Sequence, residues 1–384
     1  MQKILVIHNK YRNIGGEDIA VENEVAMLNE YYEVKVLYFN NKIDNFISQI
    51  SSFLTSSNKK SNLILEEELR LFKPDFAYVH NTWFKASIGI FKILEDHNIR
   101  TILKLHNFRY YCTKSFFTKN HLNNLKSCNA CGLSKNELGI INKYFQESYL
   151  KSFLVNNYGR KYFEIIKMKN IKILVLTKFH KLFMEELGIA SEKIKIFPNY
   201  LNIENEKDNP SKKDYIVYAG RISKEKGVEE VINAFINAET INLRLKIIGD
   251  GPELFNLKEK YKLKNISFAG ELNNKEVLNI IKESKAVITG TKLFEGQPTL
   301  LCEASIMGVP SIFPRVGGIL EFFPNDYKLS YEGHNYDDLI KKIKFIDSSD
   351  EGNREGEKAK KYIQKHLNKT ELFFKFEQVL NEFN

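Results

Sequence analysis

The chain has 384 residues, 43% hydrophobic and 12% aromatic, enough for two domains with cores of their own. It carries a net charge of +9 and four cysteines. It has no run approaching the roughly 18 apolar residues that a membrane-spanning helix needs, which excludes that class. MQKILVIHN runs straight into a strand pattern, so no signal peptide is expected and a reduced cytoplasm is the compartment read from the cysteines. The charge is uneven. Residues 101–200 hold 17 Lys and Arg against 6 Asp and Glu, and the rest is slightly acidic. Such a segment fits an anionic membrane surface, a phospholipid-linked acceptor or nucleic acid, and equally the solvated surface of a Lys-rich chain.

Residues 3–8 are a continuous apolar run, as a parallel strand buried on both faces requires. A loop to Gly16 follows, then a helix over 17–32 in which Val21, Val25 and Leu28 recur at helical spacing. Gly15 and Gly16 let the backbone turn tightly and approach a ligand, although the loop lacks the GxGxxG of dinucleotide sites. Residues 34–39 read as a strand, and the polar stretch 40–62 as a mobile loop or an inserted segment. Strands at 75–80 and 99–106 place His80 and His106 at their carboxyl ends, where open parallel sheets bind ligands. Asn107 and Arg109 come next.

Cys112, Cys128 and Cys131 follow, the last two as CxxC. With His106 or His121 they make a candidate zinc set; the alternative is a hairpin insertion with buried thiols. Residues 142–169 read as a helix mixing aromatics (Tyr144, Phe145, Tyr149, Phe153, Tyr158, Tyr162, Phe163) with Lys143, Lys151, Arg160, Lys161, Lys167 and Lys169. Over residues 143–170 this suits an interfacial helix on an anionic membrane, or a packed helix with a solvated basic face. Nothing else in the chain supports nucleic-acid stacking. A strand at 171–176, a helix ended by Gly188, a strand at 194–200 and a charged linker at 202–213 complete the first half.

The alternation then restarts. A strand at 215–219 leads into a loop bearing Arg221 and Lys226 and a helix over 228–237. A strand at 243–248 ends in Gly249-Asp250-Gly251-Pro252. Another at 266–269 leads to Gly270 and Glu271, and a helix covers 274–283. After a strand at 286–289 comes the most informative stretch, LFEGQPTLLCEASIMG, residues 293–308. Pro298 suits the first position of a helix that stops at Gly308. The preceding Gly296 and Gln297 lead into free backbone N–H groups of Thr299 and Leu300 at the helix's positive end, an anion site. Glu295 in the loop and Glu303 on the second turn can grip hydroxyls on either side of a central phosphate, an arrangement suited to a nucleotide-sugar. A strand at 309–314, a turn at Gly317-Gly318 and helices at 336–345, 355–366 and 370–383 finish the chain. The last carries Leu372, Phe373, Phe376, Val379, Leu380 and Phe383 on one face.

Two glutamates separated by seven residues with GQPTLL inside, together with Gly220-Arg221 and Lys226-Gly227 after a strand, resemble the signature of retaining GT-B glycosyltransferases of family 4, the group 1 type. The resemblance covers most of the second half, and the first half more thinly through Gly15-Gly16 and His106. It implies an α/β GT-B fold: two Rossmann-like domains with parallel sheets facing a central cleft and a C-terminal helix crossing back to the first. The domains would be 1–203 with 370–384, binding acceptor, and 204–369, binding donor.

By the same resemblance Arg221 and Lys226 stabilise the leaving nucleoside diphosphate, Glu295 binds hydroxyls of the donor sugar and Glu303 those of the ribose. Residues 270–271 meet the base, His106 faces the donor sugar, and Gly15 and Gly16 face donor phosphates or acceptor. Asn107 and Arg109 fall on the acceptor side. The implied reaction is retaining hexosyl transfer from a UDP- or GDP-sugar to a glycan or lipid-linked acceptor in capsule- or lipopolysaccharide-type synthesis. It would occur in the cytoplasm or at the inner face of the plasma membrane, without cofactor or metal; the chain has no Asp-x-Asp sequence. A catalytically silent GT-B partner or assembly scaffold is the alternative. A nucleotide-sugar epimerase would need catalytic carboxylates in the first domain, for which Glu17 and Asp18 are the only candidates beside a glycine loop.

Overall fold

A computed structural model of the protein describes residues 1–10, 15–40, 55–83, 85–108, 148–202, 211–348 and 351–383. The chain divides into two compact units. One holds the described residues up to Leu201 together with those from Asn368 onward, and the other holds Asn202–Leu367.

The first unit is built on six parallel strands, β1 (Lys3–Lys10), β2 (Glu33–Asn40), β3 (Phe76–Val79), β4 (Arg100–Leu105), β5 (Ile171–Val175) and β6 (Ile194–Ile196). Their order is β2-β1-β3-β4-β5-β6. The apolar run of β1 is fully buried from Ile4 to Ile7, as a strand covered on both faces must be. The helices are α1 (Gly16–Leu28), α2 (Lys59–Phe72), α3 (Gly89–Asp96), α4 (Tyr149–Lys167) and α5 (Lys178–Glu186).

In this unit the starts of α1, α2 and α4 differ from the sequence reading. Helix α1 begins at Gly16 because the Asp18 carboxylate accepts the Gly15 N–H at 2.8 Å. Gly15 itself is extended, with φ −116°, so the start does not draw on glycine's freedom. Helix α2 claims residues 59–62 of the supposed polar segment. Asn58 caps it, accepting N–H bonds from Lys60 at 3.1 Å and Ser61 at 3.3 Å. Helix α4 starts at Tyr149, capped by Ser148, and residues 142–147 of the expected helix lie outside the described residues.

The second unit has strands β7 (Tyr215–Ala219), β8 (Arg244–Ile248), β9 (Ile266–Gly270), β10 (Ala286–Ile288), β11 (Ser311–Arg315) and β12 (Ser330–Glu332). They are parallel in the order β12-β11-β10-β7-β8-β9. The chain winds outward from β7 to β9, then returns to the other side of β7 at β10. That reversal is the topological switch point at which doubly wound sheets bind nucleotides. The helices are α6 (Val228–Asn237), α7 (Leu254–Lys260), α8 (Asn274–Lys282), α9 (Thr299–Ile306), α10 (Tyr336–Ser348) and α11 (Glu351–His366).

Pro298 is the cap of α9 rather than its first residue, and its carbonyl accepts the Cys302 N–H at 3.0 Å. Helix α11 begins four residues before the position read from the sequence, at Glu351, and runs through Gly352 and Gly356. The helix needs a hydrogen at 356: a Cβ would strike the carbonyl of Gly308.

The final helix, α12 (Lys369–Asn381), is capped by Asn368, which accepts the Glu371 N–H at 3.1 Å. Its apolar face belongs to the first unit. Leu372, Phe373, Phe376, Val379 and Leu380 share one core with Ile4, Val6, Val21 and Tyr78. The C-terminal helix therefore returns to the first unit, as the resemblance implies, and both units are the expected Rossmann-like α/β class. No described helix is long and apolar enough to cross a membrane.

Candidate functional site

At the switch point of the second sheet, the loops after β7 and β10 are locked together. Gly227 sits at φ +65°, and a Cβ on it would collide with the carbonyl of Gly290, so only glycine permits the approach. The Lys292 N–H donates to the Glu225 carbonyl at 2.9 Å, and the Lys292 ammonium pairs with Glu230. These ties bring the Lys226 ammonium to 2.5 Å from Glu295 Oε1. The Thr291 hydroxyl donates to the same oxygen at 2.9 Å. Behind the carboxylate, the Gly318 N–H donates to the Glu295 carbonyl at 2.8 Å, so the Gly317-Gly318 turn holds this loop. Among the described residues, Glu295 Oε2 has no protein partner.

Arg221 is exposed in the same loop as Lys226. Its carbonyl accepts from the Tyr218 hydroxyl at 2.9 Å, and the neighbouring Ile222 N–H donates to Asp250 at 2.9 Å. Its guanidinium meets no partner among the described residues. Gly296 and Gln297 are buried, and Pro298, Thr299 and Leu300 are half-buried. No side chain caps α9, so its first-turn N–H groups remain open to an anion.

Glu303, on the second turn of α9, is only 5% exposed. Burial pushes its carboxyl up to about 7, against a hydrogen bond from Asn274 that acts in the other direction. Burial, with the Glu303 charge beside it, also raises the Cys302 thiol well above its ordinary value. Gly270 ends β9, where its carbonyl accepts the Gly249 N–H at 2.7 Å, and Glu271 is exposed. That strand is two places from β7, about 10 Å away at the usual spacing. One sheet end thus collects Arg221, Lys226, Glu295, Glu303 and the start of α9.

The first unit carries its own polar constellation at the carboxyl ends of its strands. His80 Nδ1 and His106 Nε2 lie 2.9 Å apart, with the rings stacked. One must donate and the other accept, which requires at least one neutral ring; burial lowers both basicities well below the ordinary value, so both are neutral. Their outer nitrogens, His80 Nε2 and His106 Nδ1, are buried with no partner among the described residues, which calls for a ligand or a water. Both rings line a small recess open to solvent, with Glu17, Trp83, Lys104 and Asn107. Asn107 Nδ2 donates to Glu17 at 3.4 Å.

Beneath the recess, His8 Nε2 meets Asp18 at 2.9 Å, and the Lys104 ammonium pairs with Glu24, which also accepts from the Tyr78 hydroxyl at 2.7 Å. Asp18 is therefore committed to a structural pair and the start of α1, and Gly16 is the first residue of that helix.

The sequence reading left His80 aside and did not see Thr291, the His8–Asp18 contact or the Lys104–Glu24 pair. Lys104 had a signal: a lone cation inside an otherwise apolar strand demands a buried partner. Thr291 had none before the loop was folded. Arg109, Cys112, Cys128 and Cys131, with His121, lie outside the described residues. Among the described residues no group of three His, Cys, Asp or Glu side chains is placed to hold a metal.

Residues 200–374 match the sequence model of the family described as Glycosyl transferases group 1. The family resemblance read from the motifs therefore stands over this segment. Among curated proteins, the chain is 24% identical over 49% of its length to 54% of an uncharacterized 41.2 kDa protein in the cps region of Klebsiella pneumoniae. It is 27% identical over 50% of its length to 57% of a lipopolysaccharide 1,2-N-acetylglucosaminetransferase of Salmonella typhimurium. The chain matches about half the length of these relatives. Among solved structures, HepE of Anabaena in complex with UDP and glucose superposes with a TM-score of 0.69 at 13% identity, covering 100% of both chains. That likeness places the fold among GT-B proteins.

Proposed function

We propose, on the premise that residues 200–374 match the glycosyl transferases group 1 family, that this chain is a retaining, metal-independent hexosyltransferase. It transfers a sugar from a UDP- or GDP-sugar to a saccharide or lipid-linked acceptor in capsule- or lipopolysaccharide-type polysaccharide synthesis. The observation that carries this reading is the meeting of Lys226, Thr291 and Glu295 at the switch point of the second sheet, in the unit that also holds Arg221 and the open start of α9. The relatives' cps and lipopolysaccharide names support the pathway class, and the UDP and glucose of the HepE complex support a UDP-sugar.

The diphosphate departs toward Arg221, Lys226 and the N–H groups of Thr299 and Leu300, which stabilise charge as it develops. A phosphate oxygen takes the acceptor's proton on the same face of the sugar, so no carboxylate base is needed. Glu295 binds the donor sugar and Glu303 the ribose. Residues 270–271 meet the base, and His106 serves the donor sugar. Gly15 and Gly16 serve phosphate or acceptor, and Asn107 and Arg109 the acceptor. Residues 143–170 rest on an anionic membrane; Tyr149, Leu150 and Phe153 at the start of α4 are exposed. Vesicle sedimentation unchanged on reversing Lys161, Lys167 and Lys169 to Glu would overturn that docking.

The principal test is a thermal-shift panel of UDP, GDP and their sugars on wild type and Arg221→Ala with EDTA present. Stabilisation by one nucleotide-sugar, lost in Arg221→Ala, is expected, followed by transfer with the donor's anomeric configuration kept. No stabilisation by any of them sinks the reading. Binding without turnover on any glycan acceptor favours the silent-partner alternative, and an inverted product refutes retention.

A further inference from the structure

The cation assigned to the diphosphate and the carboxylate assigned to the sugar are paired with each other. Lys226 Nζ lies 2.5 Å from Glu295 Oε1, and both side chains are partly shielded from solvent, at 32% and 25% exposure. The pair is built rather than incidental. The Gly227–Gly290 contact fixes the lysine's loop, the Gly318 N–H fixes the glutamate's backbone, and buried Thr291 donates to Oε1 at 2.9 Å. Two donors therefore occupy Oε1, and Oε2 is left for ligand hydroxyls.

We propose that Thr291 is a positioning residue for Glu295, and that the Lys226–Glu295 pair sets sugar-bearing donor against spent nucleoside diphosphate at this site. The inference rests on the donor-site reading above and deepens it. A nucleoside diphosphate arriving alone must draw Lys226 from its carboxylate partner and lie near a Glu295 charge that nothing new compensates. A nucleotide-sugar makes the same demand of Lys226, but its hydroxyls donate to Oε2 and stabilise the carboxylate that remains. The pair thus penalises the product more than the substrate. When the sugar has left, Glu295 recaptures Lys226 and loosens the diphosphate. Thr291 matters because a carboxylate held at Oε1 presents Oε2 in one orientation, whereas a freed carboxylate turns to follow Lys226.

The test is isothermal titration with UDP, GDP, UDP-glucose and GDP-glucose on wild type, Glu295→Gln, Thr291→Val, Thr291→Ser, Lys226→Met and the Lys226→Met/Glu295→Gln double variant. Thermal unfolding of each variant confirms folding. Glu295→Gln is expected to tighten the bare diphosphate by about threefold or more, because Lys226 no longer has to be drawn from a carboxylate partner. The same change weakens the nucleotide-sugar, so the preference for donor over product falls. In the Lys226→Met background the gain for the diphosphate disappears. Thr291→Val, which deletes one hydrogen bond, weakens the nucleotide-sugar by about fivefold and leaves the diphosphate unmoved, and Thr291→Ser restores it.

If Glu295→Gln binds the diphosphate no better than wild type, or if the gain survives without Lys226, the antagonism is wrong and the donor-site reading stands. If Thr291→Val weakens both ligands equally, Thr291 is a structural residue only. If wild type binds none of the four, the donor-site reading fails and takes this inference with it.

Discussion

Glu303 is held at a cost that can be measured. Its carboxyl is 5% exposed, and burial raises it from 4.5 to about 7. A carboxyl raised on folding is favourable as the neutral acid, so its contribution is fully present below 4.5 and is lost as pH rises through 7. Taking those two values, the ionised form should destabilise the second unit by about 3 kcal/mol at pH 8 and about 1 kcal/mol at pH 5. Glu303→Gln keeps the size and hydrogen-bonding capacity of the side chain and removes the charge. It should raise the melting temperature of the second unit by about 6–10 °C at pH 8 and by about 2–3 °C at pH 5. Calorimetry of wild type and variant at both pH values reads the difference directly. Titration with the nucleotide-sugar should move oppositely. If ionised Glu303 accepts the ribose hydroxyls, wild-type affinity falls as pH drops below 7, while the glutamine variant binds weakly at every pH. An equal stability gain at both pH values, or none, would refute burial of the charge as the cause.

Other outcomes follow from the same structure. Lys104→Met strands the Glu24 carboxylate in a core where both partners are at most 1% exposed, and should cost the first unit about 3–5 kcal/mol by urea unfolding. Adding Glu24→Leu should return much of that loss, and a single-variant cost under about 1 kcal/mol would mean that water already reaches the pair. Gly227→Ala meets both a left-handed φ and the Gly290 carbonyl, so it should destabilise the second unit by about 1–3 kcal/mol or more and abolish the thermal response to nucleotide. Phe376→Ala empties a fully buried site in the first unit's core and should cost about 3–5 kcal/mol. A change confined to the unfolding of the second unit would contradict the placement of α12.

The alternation of apolar strands and amphipathic helices was legible along almost the whole chain, because burial of both sheet faces writes itself as runs such as residues 4–7 and 215–218. The cap at Asn58 was missed: Ser61, Leu65, Leu69 and Phe72 recur at helical spacing on the buried face, but exposed Leu63 and Leu71 blur that stripe in the sequence. The role of Gly356 inside a helix was not legible, since it is kept there to let the backbone of Gly308 approach. Glycine misled at Gly15, where the conformation is one any residue adopts.

Local chemistry belongs to the sequence: which segments fold as strands, that Arg221, Lys226, Glu295 and Glu303 sit in loops and helix starts after them, and the family these motifs resemble. Strand order is not local, and only the folded sheet puts β10 beside β7 and so makes a switch point of two loops more than sixty residues apart. The pairing of Lys226 with Glu295 follows from that order, and the joining of His80 to His106 and the burial of Lys104 on Glu24 follow from the packing of the first unit. The physical reason is range. Propensity, capping and periodicity act over a few residues, whereas charge pairing and desolvation depend on neighbours that the chain reaches only after tertiary packing has chosen them.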